Sequence, residues 1–139
     1  MKQLSVFLEN TPGRLAEITR LLGKAGHNMH ALTVADTADF GIARIICDDP
    51  EGAAQSLKDQ GISALVHEVC AVALLDTPGQ LGELLEIIAA QGIDVGYCYC
   101  FVHPTTGGAV NVFKLGDASG AALISEAGYR VLSLEDLDA

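Results

Sequence analysis

Thr11-Pro12-Gly13-Arg14-Leu15-Ala16-Glu17 returns sixty-six positions later as Thr77-Pro78-Gly79-Gln80-Leu81-Gly82-Glu83. The same offset places Leu8 on Leu74, Ile18 on Leu84, Leu22 on Ile88 and Gly26 on Gly92. One extra residue, assigned to a predicted hairpin turn where length changes are tolerated, lets the match resume. Gly41 then falls on Gly108, Ala54 on Ala121, Gly61 on Gly128 and Leu65 on Leu132, and Arg44 and Asn111 become equivalent strand positions. Two copies of one unit organise the chain, as residues 1–69 and 70–139.

Each copy reads alike. Leu4, Val6 and Leu8 alternate with Ser5, Phe7 and Glu9, the period of a strand with one apolar face. Thr11-Pro12 offers an N-cap and a proline at the first helical position. Leu15, Ile18, Leu22 and Ala25 then line one helix face, and Gly26 suits the closing turn. Paired strands follow at 29–35 and 42–47 across Asp36-Thr37-Ala38-Asp39-Phe40-Gly41, with counterparts at 95–102 and 109–114. Asp49-Pro50 opens a second helix to about residue 60, matched by 117–127, and a last strand follows Gly61 and Gly128. The order β-α-β-β-α-β is the split βαβ of ferredoxin-like folds. This predicts an α+β protein of two antiparallel sheets, each with helices on one face.

Composition narrows the function. The 139 residues can bury roughly two thirds of the unfolded surface, and 50% hydrophobic against 19% charged residues excludes disorder. No apolar run reaches a membrane span, and Glu9 interrupts the opening segment too early for a secretory signal. A cytoplasmic protein is expected. The net charge of −10 has the wrong sign for nucleic acid or an anionic membrane surface. Cys47, Cys70, Cys98 and Cys100 form no C-x-x-C pair, so free, mostly buried thiols are expected.

Leu8-Glu9-Asn10-Thr11-Pro12-Gly13-Arg14-Leu15 resembles the first loop of ACT domains in amino-acid biosynthetic enzymes, and Asp39-Phe40-Gly41-Ile42-Ala43-Arg44 is similar to the hairpin of small stand-alone tandem-ACT proteins. The resemblance spans essentially the whole chain, and duplication in register makes it specific. It implies regulatory binding of a small molecule, commonly an amino acid, at an interface between ACT units. In the first copy the implied ligand-binding positions are Asn10, Thr11, Pro12, Gly13, Arg14, Leu15, Asn28 and Met29. In the second they are Asp76, Thr77, Pro78, Gly79, Gln80, Leu81, Asp94 and Val95.

The chemistry is apt. Free N–H groups at a helix start attract a ligand carboxylate, and side-chain oxygens of Asn10 and Asn28 accept from its ammonium. Asp76 and Asp94 repel a carboxylate and favour an ammonium or a basic side chain, so the copies are not equivalent. Structural readings compete at each place: the turns as caps, Asn28 as a helix end, Arg14 as a solvated helix residue.

Tyr97-Cys98-Tyr99-Cys100 puts tyrosines and thiols on opposite strand faces. Cys98 and Cys100 align with Leu32 and Val34, which predicts core packing, while Tyr97, Tyr99 and Phe101 suit packing between units. Chelation by the two thiols and a histidine defines a weaker alternative, a metal sensor. No H-E-x-x-H, G-x-S-x-G, P-loop or G-x-G-x-x-G occurs, so an enzyme is not expected. The reading is a regulatory protein without cofactor or metal that binds an amino acid or related small zwitterion, forms a homodimer and has neither nucleic-acid nor membrane partners. Its competitor is an assembly subunit of an amino-acid-metabolism enzyme, resembling the small subunit of acetolactate synthase, without a ligand response.

Overall fold

Leu4, Val6 and Leu8 share one side of the first strand, and in the structure, a computed structural model describing residues 1–36 and 40–138, that side is the core. The chain divides into two compact units, Lys2–His67 and Met1 with Glu68–Ala139. Thr37, Ala38 and Asp39 of the first expected hairpin turn lie outside the described residues.

In the first unit the order is β1 (Lys2–Glu9), α1 (Arg14–Lys24), β2 (Met29–Asp36), β3 (Phe40–Cys47), α2 (Pro50–Lys58) and β4 (Ala64–Glu68). The sheet order is β2-β3-β1-β4. Ile18, Leu22 and Leu57 from the helices close on Leu4, Val6, Ala43 and Ile45 of the sheet, all fully buried. Each such Leu or Ile side chain contributes about 1.5–3 kcal/mol by leaving water.

The second unit repeats the order with β5 (Cys70–Leu74), α3 (Gln80–Ala90), β6 (Val95–His103), β7 (Gly108–Leu115), α4 (Gly120–Glu126) and β8 (Arg130–Leu132), sheet order β6-β7-β5-β8. Val72, Leu84, Ile88, Phe113 and Ile124 form its core. A single turn of 3-10 helix at Pro104–Thr106 caps the β6–β7 hairpin, and a short α5 (Glu135–Asp138) ends the chain.

All four main helices close on glycine. His27 N–H donates to the Leu22 carbonyl and Gly26 N–H to Gly23, with Gly26 at φ 83°. Gly61, Gly92 and Gly128 repeat this paired closure, the left-handed ending that lets a chain leave a helix without stranding its last carbonyls.

The hairpin register corrects the one-residue insertion. Leu4 pairs with Ile45 and Leu8 with Gly41, whereas Cys70 pairs with Phe113 and Leu74 with Ala109. β7 is therefore displaced from β3 by sixty-eight positions, two more than the strands beside it. In the second unit the hairpin is paired out to His103 with Gly108. A single inserted residue would turn every β7 side chain to the other face, which would expel Phe113 from the core. Arg44 consequently corresponds to Val112, and Asn111, buried to 6% exposure, corresponds to Ala43. Arg44 and Asn111 are not equivalent.

A second correction concerns the thiols. Cys47 and Cys70 are buried, but Cys98 and Cys100 are exposed, as are their counterparts Leu32 and Val34 at 41% and 42%. Helices α1 and α2 pack on each other and on β1, so their cover stops short of the edge strand. Strand alternation assigns a face; it does not say whether a helix reaches it.

Candidate functional site

The repeated Thr-Pro-Gly segment is a turn, and it is built the same way twice. The carbonyl of Thr11 accepts from Arg14 N–H at 3.3 Å, and that of Thr77 accepts from Gln80 N–H at 3.4 Å. Gly13 at φ 84°, ψ −5° and Gly79 at φ 91°, ψ −12° occupy the third turn position. Proline second and glycine third with positive φ define a type II turn. The expected cap is corrected by this: Pro12 lies within the turn, helix α1 starts at Arg14, and Gly13 rather than Thr11 is the N-cap residue.

A glycine cap has no side chain to offer. Neither α1 nor α3 receives a side-chain cap, nor does α4, whereas Asp49 caps α2 by accepting from Gly52 N–H at 3.0 Å. Glu17 N–H returns to the Gly13 carbonyl at 2.9 Å and Glu83 N–H to Gly79 at 3.0 Å. The N–H groups of Leu15 and Ala16, and of Leu81 and Gly82, have no acceptor among the described residues. Two exposed helix starts therefore present unused donors at the positive end of a helix dipole.

A cation stands at the first of these ends. Arg14, half-buried rather than fully solvated, holds Glu17 through Nη1 at 2.9 Å. Its Nε is buried without a partner among the described residues. In the second unit Gln80 takes the position of Arg14 and lines a cleft of about 300 Å³ with Leu75, Thr106, Tyr129 and Arg130. Arg130 in turn pairs with Asp136 at 3.1 Å. Burial, then the Glu83 carboxylate beside it, pushes the Tyr129 phenol up. Of the second-copy candidates, Gln80 lines this cleft; Asp76, Thr77, Pro78, Gly79 and Leu81 are exposed around the turn.

Asn10 and Asn28 lie at opposite ends of the first sheet. Asn10 follows Glu9, which pairs with Phe40, while Asn28 precedes Met29, which pairs with Cys47. A strand of this length spans about 20–25 Å at 3.3 Å per residue. Asp76 and Asp94 are separated in the same way, Leu74 pairing with Ala109 and Val95 with Leu115. A strand out and a helix back dictate the separation. At its own end, Asn28 N–H donates to Asp48 Oδ1 at 3.2 Å, and His27 Nδ1 lies 3.7 Å from the same oxygen. The half-buried Met29 and Val95 open the edge strands.

Sequence reasoning missed the segment after β8. Asp136 Oδ2 accepts from Ser133 N–H at 2.8 Å and its hydroxyl at 3.1 Å, and Thr105 Oγ1 donates to the Asp136 carbonyl at 2.9 Å. Ser133-Leu134-Glu135-Asp136 has capping-box spacing, a legible signal. Among the described residues no three or more His, Cys, Asp or Glu side chains are grouped to hold a metal ion, and no helix is long and apolar enough to cross a membrane.

Residues 1–127 match the profile of a family described as an ACT domain pair. The chain belongs to this family. Among solved structures, protein BT0572 from Bacteroides thetaiotaomicron shares 35% identity with this ACT-pair chain, covering 98% of it and 94% of BT0572, at a TM-score of 0.89. The ligand-free regulatory subunit of aspartate kinase from Thermus thermophilus shares 13% identity, with 91% and 92% coverage and a TM-score of 0.67. That of Thermus flavus shares 14%, with 91% coverage of each chain and a TM-score of 0.63. These two share the fold of the ACT pair. No curated protein matches the chain.

Proposed function

We propose that this ACT pair is a cytoplasmic regulatory protein that binds an amino acid between ACT units, works as a homodimer and catalyses no reaction of its own. The observation that carries this reading is the pair of open helix starts, each held by a type II turn with glycine at the N-cap. A ligand carboxylate would accept from Leu15 and Ala16 N–H at the open start of α1. Its ammonium would donate to side-chain oxygens, Asn28 in the first copy or Asp94 in the second. Because Asn10 and Asn28 stand at opposite ends of one sheet, a small ligand touching both must be shared between two units. Binding then favours the arrangement that joins them.

A thermal-shift screen against the twenty amino acids at millimolar concentration tests this. Ligand at a hundredfold its Kd adds about 2.7 kcal/mol, a shift of several degrees. Asn10→Ala and Asn28→Ala should each reduce the shift. A flat panel with a cooperative melt would reject the sensor.

One observation favours a second reading, a subunit that assembles with a metabolic enzyme. The edge strands carry exposed apolar side chains, Leu32, Val34 and Val102, the last at 82%, and open strand edges pair readily. Capture of one stoichiometric enzyme partner, unaffected by any amino acid, would establish that reading.

A further inference from the structure

A cavity of about 370 Å³ opens in the second unit, bordered by the start of β5 and the end of β7. This is the far end of the sheet from the Thr77–Gln80 turn, since Cys70 pairs there with Phe113 while Leu74, beside the turn, pairs with Ala109. Its wall is apolar: Val69, Cys70, Leu115, Ala121 and Val131. Burial pushes the Cys70 thiol up, which keeps that wall uncharged at neutral pH.

The origin of the space is visible in the repeat. Ala53 and Leu57 of α2 occupy the places that Gly120 and Ile124 take in α4. Helix α2 begins at Pro50, three residues before Ala53, but α4 begins at Gly120 itself. The turn of helix lost from the second unit is Asp117-Ala118-Ser119, and Asp117 and Ala118 now line the cavity.

Opposite charges stand at the rim. The Lys114 ammonium makes one hydrogen bond among the described residues, to the Glu68 carbonyl at 3.4 Å, and so keeps two donors unused. Asp117 Oδ1 accepts from Ser119 N–H at 2.9 Å and from its hydroxyl at 2.8 Å. Those bonds hold the carboxyl below its ordinary range. Oδ2 accepts none among the described residues. The Glu68 carboxylate, also at the rim, is engaged by the Met1 ammonium at 3.3 Å.

The geometry points to a second ligand site, internal to the unit Glu68–Ala139, for an aliphatic α-amino acid. Lys114 receives the carboxylate, Asp117 Oδ2 receives the ammonium, and the hydrocarbon side chain lies on Val69, Leu115 and Val131. A charged or strongly polar side chain would leave its groups without partners against this wall. The site is separate from the turns and does not depend on a ligand being held there.

Isothermal titration of the full chain with L-leucine, 4-methylpentanoate and 3-methylbutylamine tests it, since the last two lack the ammonium and the carboxylate respectively. Lys114→Met should weaken L-leucine and 4-methylpentanoate at least tenfold and leave 3-methylbutylamine unchanged. Asp117→Asn keeps an acceptor for Ser119, and should weaken L-leucine and 3-methylbutylamine but not 4-methylpentanoate. Asn10→Ala should change none of the three. A melting curve of each variant establishes that it is folded, and the two variants act through different residues. No L-leucine binding in the parent chain, or binding untouched by both variants, overturns the site. Binding lost in Asn10→Ala but kept in Lys114→Met also overturns it, while supporting the turn site instead. A response to other amino acids alone leaves the turn site standing and rejects this one.

Discussion

Replacing glycine by alanine should have opposite signs at two places in one helix segment. Gly13 ends the first turn at φ 84° and Gly23 lies within α1. A β-carbon added at either meets nothing within 4 Å, so packing cannot distinguish them. Backbone conformation must. In the left-handed region an L-residue is strained by about 1–2 kcal/mol, of which about 0.4–1 kcal/mol is offset by a less disordered unfolded chain. Gly13→Ala should therefore destabilise by about 1 kcal/mol. At Gly23 there is no strain, and the helix gains about 0.5–1 kcal/mol from alanine. The two variants should thus differ by about 1.5–2 kcal/mol. With a urea dependence of about 1–3 kcal/mol per molar, their midpoints should stand about 1 M apart. Urea unfolding followed by far-ultraviolet circular dichroism reads this directly. A Gly13→Ala midpoint at or above that of the parent chain would refute the turn, and with it the account of why the helix start is open.

Maleimide in native buffer should label Cys98 and Cys100 and spare Cys47 and Cys70 until denaturant is added; four equally fast thiols would contradict the packing. Burial, followed by weaker repulsion from Asp48 and Asp49, pushes Cys47 from 9.0 up to about 11. The unfolded thiol ionises first, so stability is complete below pH 9 and declines as pH rises toward 11, by about 2.7 kcal/mol. Burial of Cys70 adds in the same direction. Cys47→Ala should flatten that alkaline decline; an unchanged slope would show that Cys47 is not its source. On the acid side, Ser133 N–H and hydroxyl, then Arg130, hold Asp136 below its ordinary range. Its contribution is present above about pH 4 and lost as pH falls through the lower folded value. Asp136→Asn should therefore shallow the acid limb of a pH–stability profile, and an identical limb would remove this contact from the account.

The repeat, the strand and helix order and the glycine helix endings were legible because each rests on local chemistry: alternation, helical spacing, a residue that alone tolerates positive φ. The misreadings share a different cause. Thr-Pro-Gly satisfies both a cap with proline at the first helical position and a type II turn, and Gly13 decides for the turn only once its φ is seen. Matching Gly41 to Gly108 made the hairpin one residue longer, and hydrophobic alternation could not correct it, because Val110 and Val112 on one face and Phe113 on the other are all fully buried. Cys98 and Cys100 were assigned to the core by alignment with Leu32 and Val34, which are themselves exposed. The lysine and aspartate at the rim of the second cavity share no motif, because a missing turn of helix brought them there.

In colloidal terms, the open edges of β2 and β6 make the protein's dispersal a matter of charge. Each edge presents backbone donors and acceptors beside exposed Leu32, Val34 or Val102, and any second copy can extend such a ladder. What holds neutral-pH molecules apart in the meantime is the excess of ten negative charges on every chain. Salt shortens the reach of that repulsion to about 8 Å at physiological strength, less than twice the spacing of two paired strands. Ionic strength and acidity therefore set how often such edges meet.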